Sequence, residues 1–391
     1  MTSEIKKPIR RPVSAFSEMG SREKNDDAIV YEEEFEDGQL SAVFDGHFQT
    51  YLQTVSQCCS LNLKSILTQF KDLPWLERLE KTVEELNRKV VTSTTGTTAV
   101  IVFVTNDGTY HIANIGDCVA MIVNAHGECM DINDGHVTYK DCFEPEFKKN
   151  GIAFEYKMTK YITRPHVHTI DDIYNPEITY YKTVKNLSVI KGNGTGQLCV
   201  QQSPLVGLEP LRAIGDTHLP ELIRVPELYT WKLTPEQARE AKLVVMSDGF
   251  LNQKVFSNEK VAKLVTNPIS ALTNMDFLLR QRTLFETRCI TEKDIITFQS
   301  KLSGIEPMSP EIFDILLKIF EEIIPKFCTT IKKFDAQWSH GIKVYFEKFK
   351  TKIASLKEKA DYNDLLELII LMTVMFGCDD NISLIVLDAK P

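Results

Sequence analysis

The sequence predicts an α+β protein built on packed antiparallel sheets. Three observations carry that prediction. Two apolar runs, 100–104 and 111–115, flank Asn106-Asp107-Gly108, a strong hairpin signal. Two longer stretches, 51–71 and 77–93, carry their apolar residues at helical spacing instead. Short apolar runs then recur as far as 382–387, so strands and helices are interleaved over the whole chain.

The elements follow in order. Residues 1–12 are polar and basic, with Lys6, Lys7, Arg10 and Arg11, and read as a flexible tail or a localisation signal. Residues 40–44 form a strand that stops at Asp45-Gly46, a common turn dipeptide. The helix over 51–71 puts Leu63, Ile66, Leu67 and Phe70 on one face, and that over 77–93 does the same with Leu79, Val83, Leu86 and Val90. After the hairpin come strands at 121–123, at 243–246 (ending at Ser247-Asp248-Gly249) and at 382–387 (entered from Asp379-Asp380-Asn381). Residues 137–205 are aromatic-rich and irregular. From 269 to 376 the pattern is mostly helical, over 271–282, 310–333, 341–359 and 362–376.

One of these helices sets Ile342, Tyr345 or Phe346, Phe349, Ile353 and Leu356 in an apolar stripe. Lys343, Lys348, Lys350, Lys352, Lys357 and Lys359 line the rest. Such a basic amphipathic helix either docks on a partner or packs its stripe onto the core with its lysines in water.

Composition sets limits on function. Hydrophobic residues make up 43% and charged residues 25%, the balance of a globular protein, and no apolar run is long enough to span a bilayer. The net charge of −9 argues against nucleic acid as the main partner. Nine cysteines without a C-x-x-C pair support neither a zinc ribbon nor a disulfide framework. A reducing, intracellular setting follows, cytoplasmic or nuclear.

Asp45, Asp117, Asp248 and Asp380 each stand at one end of an apolar strand. Strand ends at one sheet edge lie side by side, and gathered carboxylates repel one another unless a cation neutralises them. Oxygen donors without Cys or clustered His favour Mg²⁺ or Mn²⁺ over zinc. Taken singly, each Asp-Gly is an ordinary turn.

Seven short motifs, in order, resemble those of the protein phosphatase 2C family. They are Arg22-Glu-Lys-Asn-Asp26-Asp27-Ala28, Phe44-Asp45-Gly46-His47, Gly96-Thr-Thr-Ala-Val, Asn114-Ile-Gly-Asp117, Leu211-Arg-Ala-Ile-Gly-Asp216, Ser247-Asp248-Gly249 and Asp380-Asn381. The resemblance implies a sandwich of two antiparallel sheets flanked by α-helices. It implies one domain over 13–391, with a divergent flap at 137–205 and a helical insertion at 269–361. Its activity would be hydrolysis of phosphoserine and phosphothreonine in proteins by water activated at a dinuclear Mg²⁺ or Mn²⁺ site.

In that scheme Asp26, Asp45, the Gly46 carbonyl, Asp248 and Asp380 are metal ligands, and Asp117 holds a third, weaker ion. Asp27 and Asn381 lie behind them, Arg22 clamps phosphate and His47 is the general acid. Asp216 reads as structural, and His47 has a second reading as the cap of the following helix.

The pattern departs from the family in places. Asp26 stands where the family has Glu, and Phe48-Gln49 where it has two small residues. Cys118-Val119 replaces Ser-Arg, and the flap fits poorly. These departures leave room for a second reading, a weak or inactive pseudophosphatase serving as a signalling adaptor. A protein partner at 269–361 belongs to that reading.

Overall fold

The computed structural model describes residues 13–20, 22, 24–47, 54–91, 95–131, 154–158, 180–184, 187–192, 195–200, 207–208, 212–217, 224–238, 241–250, 258–268, 291–302, 305, 309–332, 336–359, 361–375 and 380–388. The 1–12 tail, Phe48-Gln49 and the helix expected at 271–282 lie outside them.

Among the described residues there are three antiparallel sheets. One has the strand order β14-β5-β4-β3-β2, built from β2 (Ala28–Phe35), β3 (Gly38–His47), β4 (Gly96–Thr105), β5 (Thr109–Ile115) and β14 (Glu227–Lys232), with β13 (Ile214–Gly215) pairing to β4. A second has the order β1-β16-β15-β6-β7, from β1 (Val13–Glu18), β6 (Val119–Val123), β7 (Cys129–Asp131), β15 (Lys242–Met246) and β16 (Ile382–Asp388). The third is formed by β8 (Phe154–Met158), β9 (Tyr180–Val184), β10 (Leu187–Gly192), β11 (Thr195–Val200) and β12 (Gly207–Leu208). It corrects the irregular reading of 137–205. Short strands with mixed polar and aromatic residues give little period-2 signal, so pairing between neighbours decides their structure.

Alternation along the strands sorts the core into layers. Val100, Val102 and Val104 of β4 face Leu243 and Val245 of β15 and Ile385 and Leu387 of β16, filling the space between the first two sheets. Ala99, Ile101 and Phe103 point the other way, onto α1 (Val55–Gln69) and α2 (Trp75–Lys89), where they meet Leu63, Ile66, Leu67, Leu79, Val83 and Leu86. Val244, Met246, Leu384 and Val386 likewise turn outward from the second sheet. Both helical faces read from the sequence are therefore buried. Thr54 starts α1 with a capping box closed by Gln57, so His47 is not its cap; it is the last residue of β3. The strand does not stop at Asp45-Gly46, because both residues stay in register with Thr98 and Thr97 of β4.

Further helices cover the second sheet. After α3 (Pro235–Ala238) come α4 (Asn258–Thr266), α5 (Glu292–Leu302), α6 (Pro310–Ile331), α7 (Ala336–Glu358) and α8 (Tyr362–Met375). The stripe of α7 is buried: Ile342, Tyr345, Phe349, Ile353 and Leu356 are each at most 5% exposed. Its lysines pair within the chain, Lys348 with Glu18, Lys350 with Glu347, Lys352 with Asp364 and Glu367, and Lys357 with Asp314. Packing onto the core therefore accounts for this helix. Among the described residues no helix is long and apolar enough to cross a membrane.

Candidate active site at the strand ends

Register brings the acidic residues to one edge of the sandwich. Ala28 pairs with Phe44, so Asp27 enters β2 just where Asp45 leaves the body of β3. In the second sheet Met246 pairs with both Val119 and Leu384, and Ile382 pairs with Glu18. The segments holding Asp117, Asp248 and Asp380 therefore emerge at a common end, beside the 19–27 loop that follows β1.

Buried hydrogen bonds hold these segments together. Asn381, 4% exposed, accepts from the Asp26 backbone N–H at 2.7 Å. It donates through Nδ2 to the carbonyls of Met19 at 2.7 Å and Lys24 at 3.0 Å. Ser247 Oγ donates to Asp27 Oδ2 at 3.0 Å, Thr97 Oγ1 donates to the Asp45 carbonyl at 2.9 Å, and Ser56 Oγ donates to the Asp26 carbonyl. Gly249 packs so tightly on this arrangement that a Cβ there would lie 1.9 Å from the Asn381 carbonyl oxygen. The Asp-Gly pairing thus answers to space as well as to turn chemistry.

The carboxylates act on one another. Burial pushes Asp45 well above the usual carboxylate range, and the charges of Asp27, Asp248, Asp380 and Asp117 raise it further. Asp27 is pushed up to about 7, by burial first and by the charge of Asp380, while hydrogen bonds with Ser383, Ser247 and Asp45 pull it down. Burial raises Asp26 too, against the pull of Lys24, Arg22 and His47. Two cations of the chain itself reach this edge. Arg22 lies 3.0 Å from Asp380, and Lys24 lies 3.2 Å from Asp26.

His47 has a partner that sequence reasoning assigned to structure alone. Its Nε2 lies 2.6 Å from Oδ2 of Asp216, a fully buried carboxylate. Burial disfavours the charged imidazole, but the charge and hydrogen bond of Asp216 outweigh it, so the His47 pKa is raised. The backbone around Asp216 is specialised. Gly215 and Asp216 both have positive φ, +91° and +46°, and the Asp216 carbonyl accepts from Arg224 Nη2 at 2.8 Å. Gly96 makes the room, since a Cβ there would lie 1.8 Å from Asp216 Oδ2 and 2.7 Å from His47 Nε2. The signal for Asp216 was present in the Arg-Ala-Ile-Gly-Asp segment, but no local pattern tied it to a histidine on another strand.

The donor set suits a hard dication, being all carboxylate, with a mutual repulsion that such a cation relieves. Its placement is not a finished cage. Among the described residues, no three Asp, Glu, His or Cys side chains stand in a group that could hold a metal ion.

Residues 13–141 match the family model for Protein phosphatase 2C. That segment includes Arg22, Asp26, Asp27, Asp45, Gly46, His47 and Asp117, and stops before Asp216, Asp248 and Asp380. No curated protein matches the chain. Among solved structures, a C. elegans sex-determining protein superposes with a TM-score of 0.52 at 14% identity, over 97% of this chain and 65% of that one. A phosphatase from a pathogenic strain of Toxoplasma gondii gives a TM-score of 0.50 at 14% identity, over 96% of this chain and 91% of that one. At such identity these likenesses speak for the fold. The chain is thus similar to the protein phosphatase 2C family over residues 13–141, and similar in fold to these structures over nearly its whole length.

Proposed function

We propose that the chain hydrolyses phosphoserine and phosphothreonine in proteins, with Mg²⁺ or Mn²⁺ held by the strand-end carboxylates. The observation that carries this reading is the mutual charge interaction of Asp27, Asp45, Asp117, Asp248 and Asp380. They come from five separate segments, and their mutual repulsion is what a bound dication would relieve. Asp45, the Gly46 carbonyl and Asp26 would hold one ion, Asp248 and Asp380 with Asp45 a second, and Asp117 a third. Such dications, when bound, supply a water of lowered pKa and offset charge developing on phosphoryl oxygens.

The chain's own residues do the rest. Arg22 stands at the rim, more than half exposed, with a guanidinium suited to two phosphate oxygens. Binding there would exchange its contact with Asp380 for one with the substrate. With Nε2 directed at Asp216, His47 would deliver its proton to the leaving Ser or Thr oxygen from Nδ1. Asp216 would orient the ring and favour its protonated form; Asn381 and Ser247 hold the loop and the carboxylate behind the site.

A second reading rests on a specific observation. Arg22 and Lys24 already neutralise Asp380 and Asp26 from within, which is how a chain without metal would keep this edge stable. Such a chain would be a pseudophosphatase that binds phosphoproteins without turning them over.

Phosphate release from a phosphopeptide, measured with Mn²⁺ and with EDTA, alongside Asp248→Asn, separates the two. Turnover that needs the metal and vanishes in the variant supports the phosphatase. A folded protein inactive with every divalent cation leaves the adaptor.

A further inference from the structure

Behind the carboxylates lies a closed circuit of hydrogen bonds. The Asp27 backbone N–H donates to Asn25 Oδ1 at 3.1 Å, and Asn25 Nδ2 donates to Ser17 Oγ at 2.8 Å. Ser383 Oγ donates to the same Ser17 oxygen at 2.9 Å, from the directly opposed position in β16. The Ser383 backbone N–H donates to Ser247 Oγ at 2.9 Å. Ser247 Oγ then donates to Asp27 Oδ2 at 3.0 Å, which returns the circuit to its start.

The circuit is buried at Ser247, Ser383 and Asp27, partly buried at Ser17 and Asn25, and directional. Ser247 and Ser383 are fully buried and Asp27 is 5% exposed. Ser247 Oγ accepts the Ser383 N–H and gives its single proton to Asp27 Oδ2, since a carboxylate oxygen accepts. The Ser247 backbone N–H also donates to the Ser383 carbonyl at 3.0 Å, so this serine is locked at both ends. Both the main chain and the carboxylate of Asp27 are therefore fixed from three strands.

We propose that this five-residue circuit is a positioning device, in which Ser247 and Asn25 set the direction of the Asp27 carboxylate and so the readiness of the cluster to take a dication. Its catalytic meaning rests on the phosphatase reading; its geometric meaning does not. Ser247 is a positioning residue, acting through Asp27. A serine at this place that served only to fill space would be replaceable by alanine without consequence for the cation.

The test uses the full chain in two measurements. Crystal structures of metal-free wild type, Ser247→Ala and Ser247→Thr read the Asp27 rotamer, and calorimetric titration with Mn²⁺ alone reads affinity. In Ser247→Ala we expect the carboxylate to turn away and Mn²⁺ affinity to fall about tenfold. Ser247→Thr, which keeps the hydroxyl, should restore both. Should Ser247→Ala fail to fold, Asn25→Ala opens the circuit from its exposed side and gives the same readouts.

An unchanged Asp27 rotamer with unchanged Mn²⁺ affinity in the alanine variant overturns the proposal. A wild-type chain that binds no Mn²⁺ sinks the phosphatase reading instead, and the crystal structures alone then decide whether the circuit positions Asp27.

Discussion

Oδ2 of Asp216 sits 2.6 Å from Nε2 of His47, joining the end of β3 to a left-handed turn that follows β13. The Asp216 carboxylate is fully buried, and the short contact holds the two groups in one orientation. In Asp216→Asn the ring loses its charged partner while the shape of the site is kept. The turnover number for a phosphopeptide is expected to fall by about 100-fold, with a smaller change in KM. A raised KM with an unchanged turnover number would instead place the defect in binding.

Gly249→Ala is expected to disable the site without touching an ionisable group. Its Cβ would collide with the Asn381 carbonyl, so Asp248 and Asn381 must separate. Mn²⁺ affinity should drop by at least about tenfold, and titration calorimetry with Asp248→Asn as reference checks it.

Asn381→Ala removes three hydrogen bonds to residues 19–26 at once. Hydrogen exchange should show faster exchange at the Asp26 amide, with the strands of the first sheet unchanged. Uniform acceleration across both sheets would mean that Asn381 supports the whole fold.

Arg78 is a stability prediction far from the site. It is 2% exposed and donates to both Glu36 carboxylate oxygens, at 2.7 and 2.6 Å, and to the Leu67 carbonyl at 2.7 Å. Its guanidinium carbon lies 4.2 Å from the Trp75 ring centroid. It thus ties α1, α2 and the β2–β3 turn together. Arg78→Ala should cost about 2 kcal/mol in urea unfolding, from the buried packing of the side chain and its hydrogen bond to Leu67, since Glu36 is itself exposed. Arg78→Lys should recover little, because an ammonium cannot serve the paired oxygens and the carbonyl together.

His111 gives a pH test. Burial lowers its pKa below the ordinary imidazole value, partly offset by Asp107 and Asp37, and its Nδ1 is buried without a hydrogen bond. The unfolded chain therefore takes up the proton first as pH falls. Stability is lost from about pH 6.5 downward until the lowered folded value is reached, and then levels. In His111→Phe that part of the pH profile should flatten.

How far the sequence was legible depended on whether the information was local. The β4–β5 hairpin and the faces of α1 and α2 could be read because turn residues and periodicity lie within a few positions. The carboxylates at the strand ends could be read for the same reason, each following or preceding its own apolar run. Asp216 could not be paired with His47 in this way, since a Gly-Asp turn looks alike whether its carboxylate faces water or an imidazole. The edge strand β1 and the strand β14, whose Glu-Leu-Tyr-Thr-Trp-Lys mixes polar and aromatic residues, are fixed by their partners rather than by their own pattern. The Ser17–Ser383 contact likewise exists only once two distant strands lie in register.

The position of β16 between β1 and β15 has a consequence for biogenesis. The bond from Asp26 to Asn381 spans 355 residues, and the strand that follows Asn381 is an interior strand of its sheet. A growing polypeptide can form the β3–β4–β5 meander early, from neighbouring strands. It cannot assemble the acidic edge until residues 380–388 have left the ribosome. A product cut short before Asp380 would carry the family-matched segment and Asp45, yet have neither Asn381 to hold the 19–26 loop nor the strand that joins β1 to β15. The ion binding proposed for this edge would therefore depend on a segment made some 355 residues after Asp26.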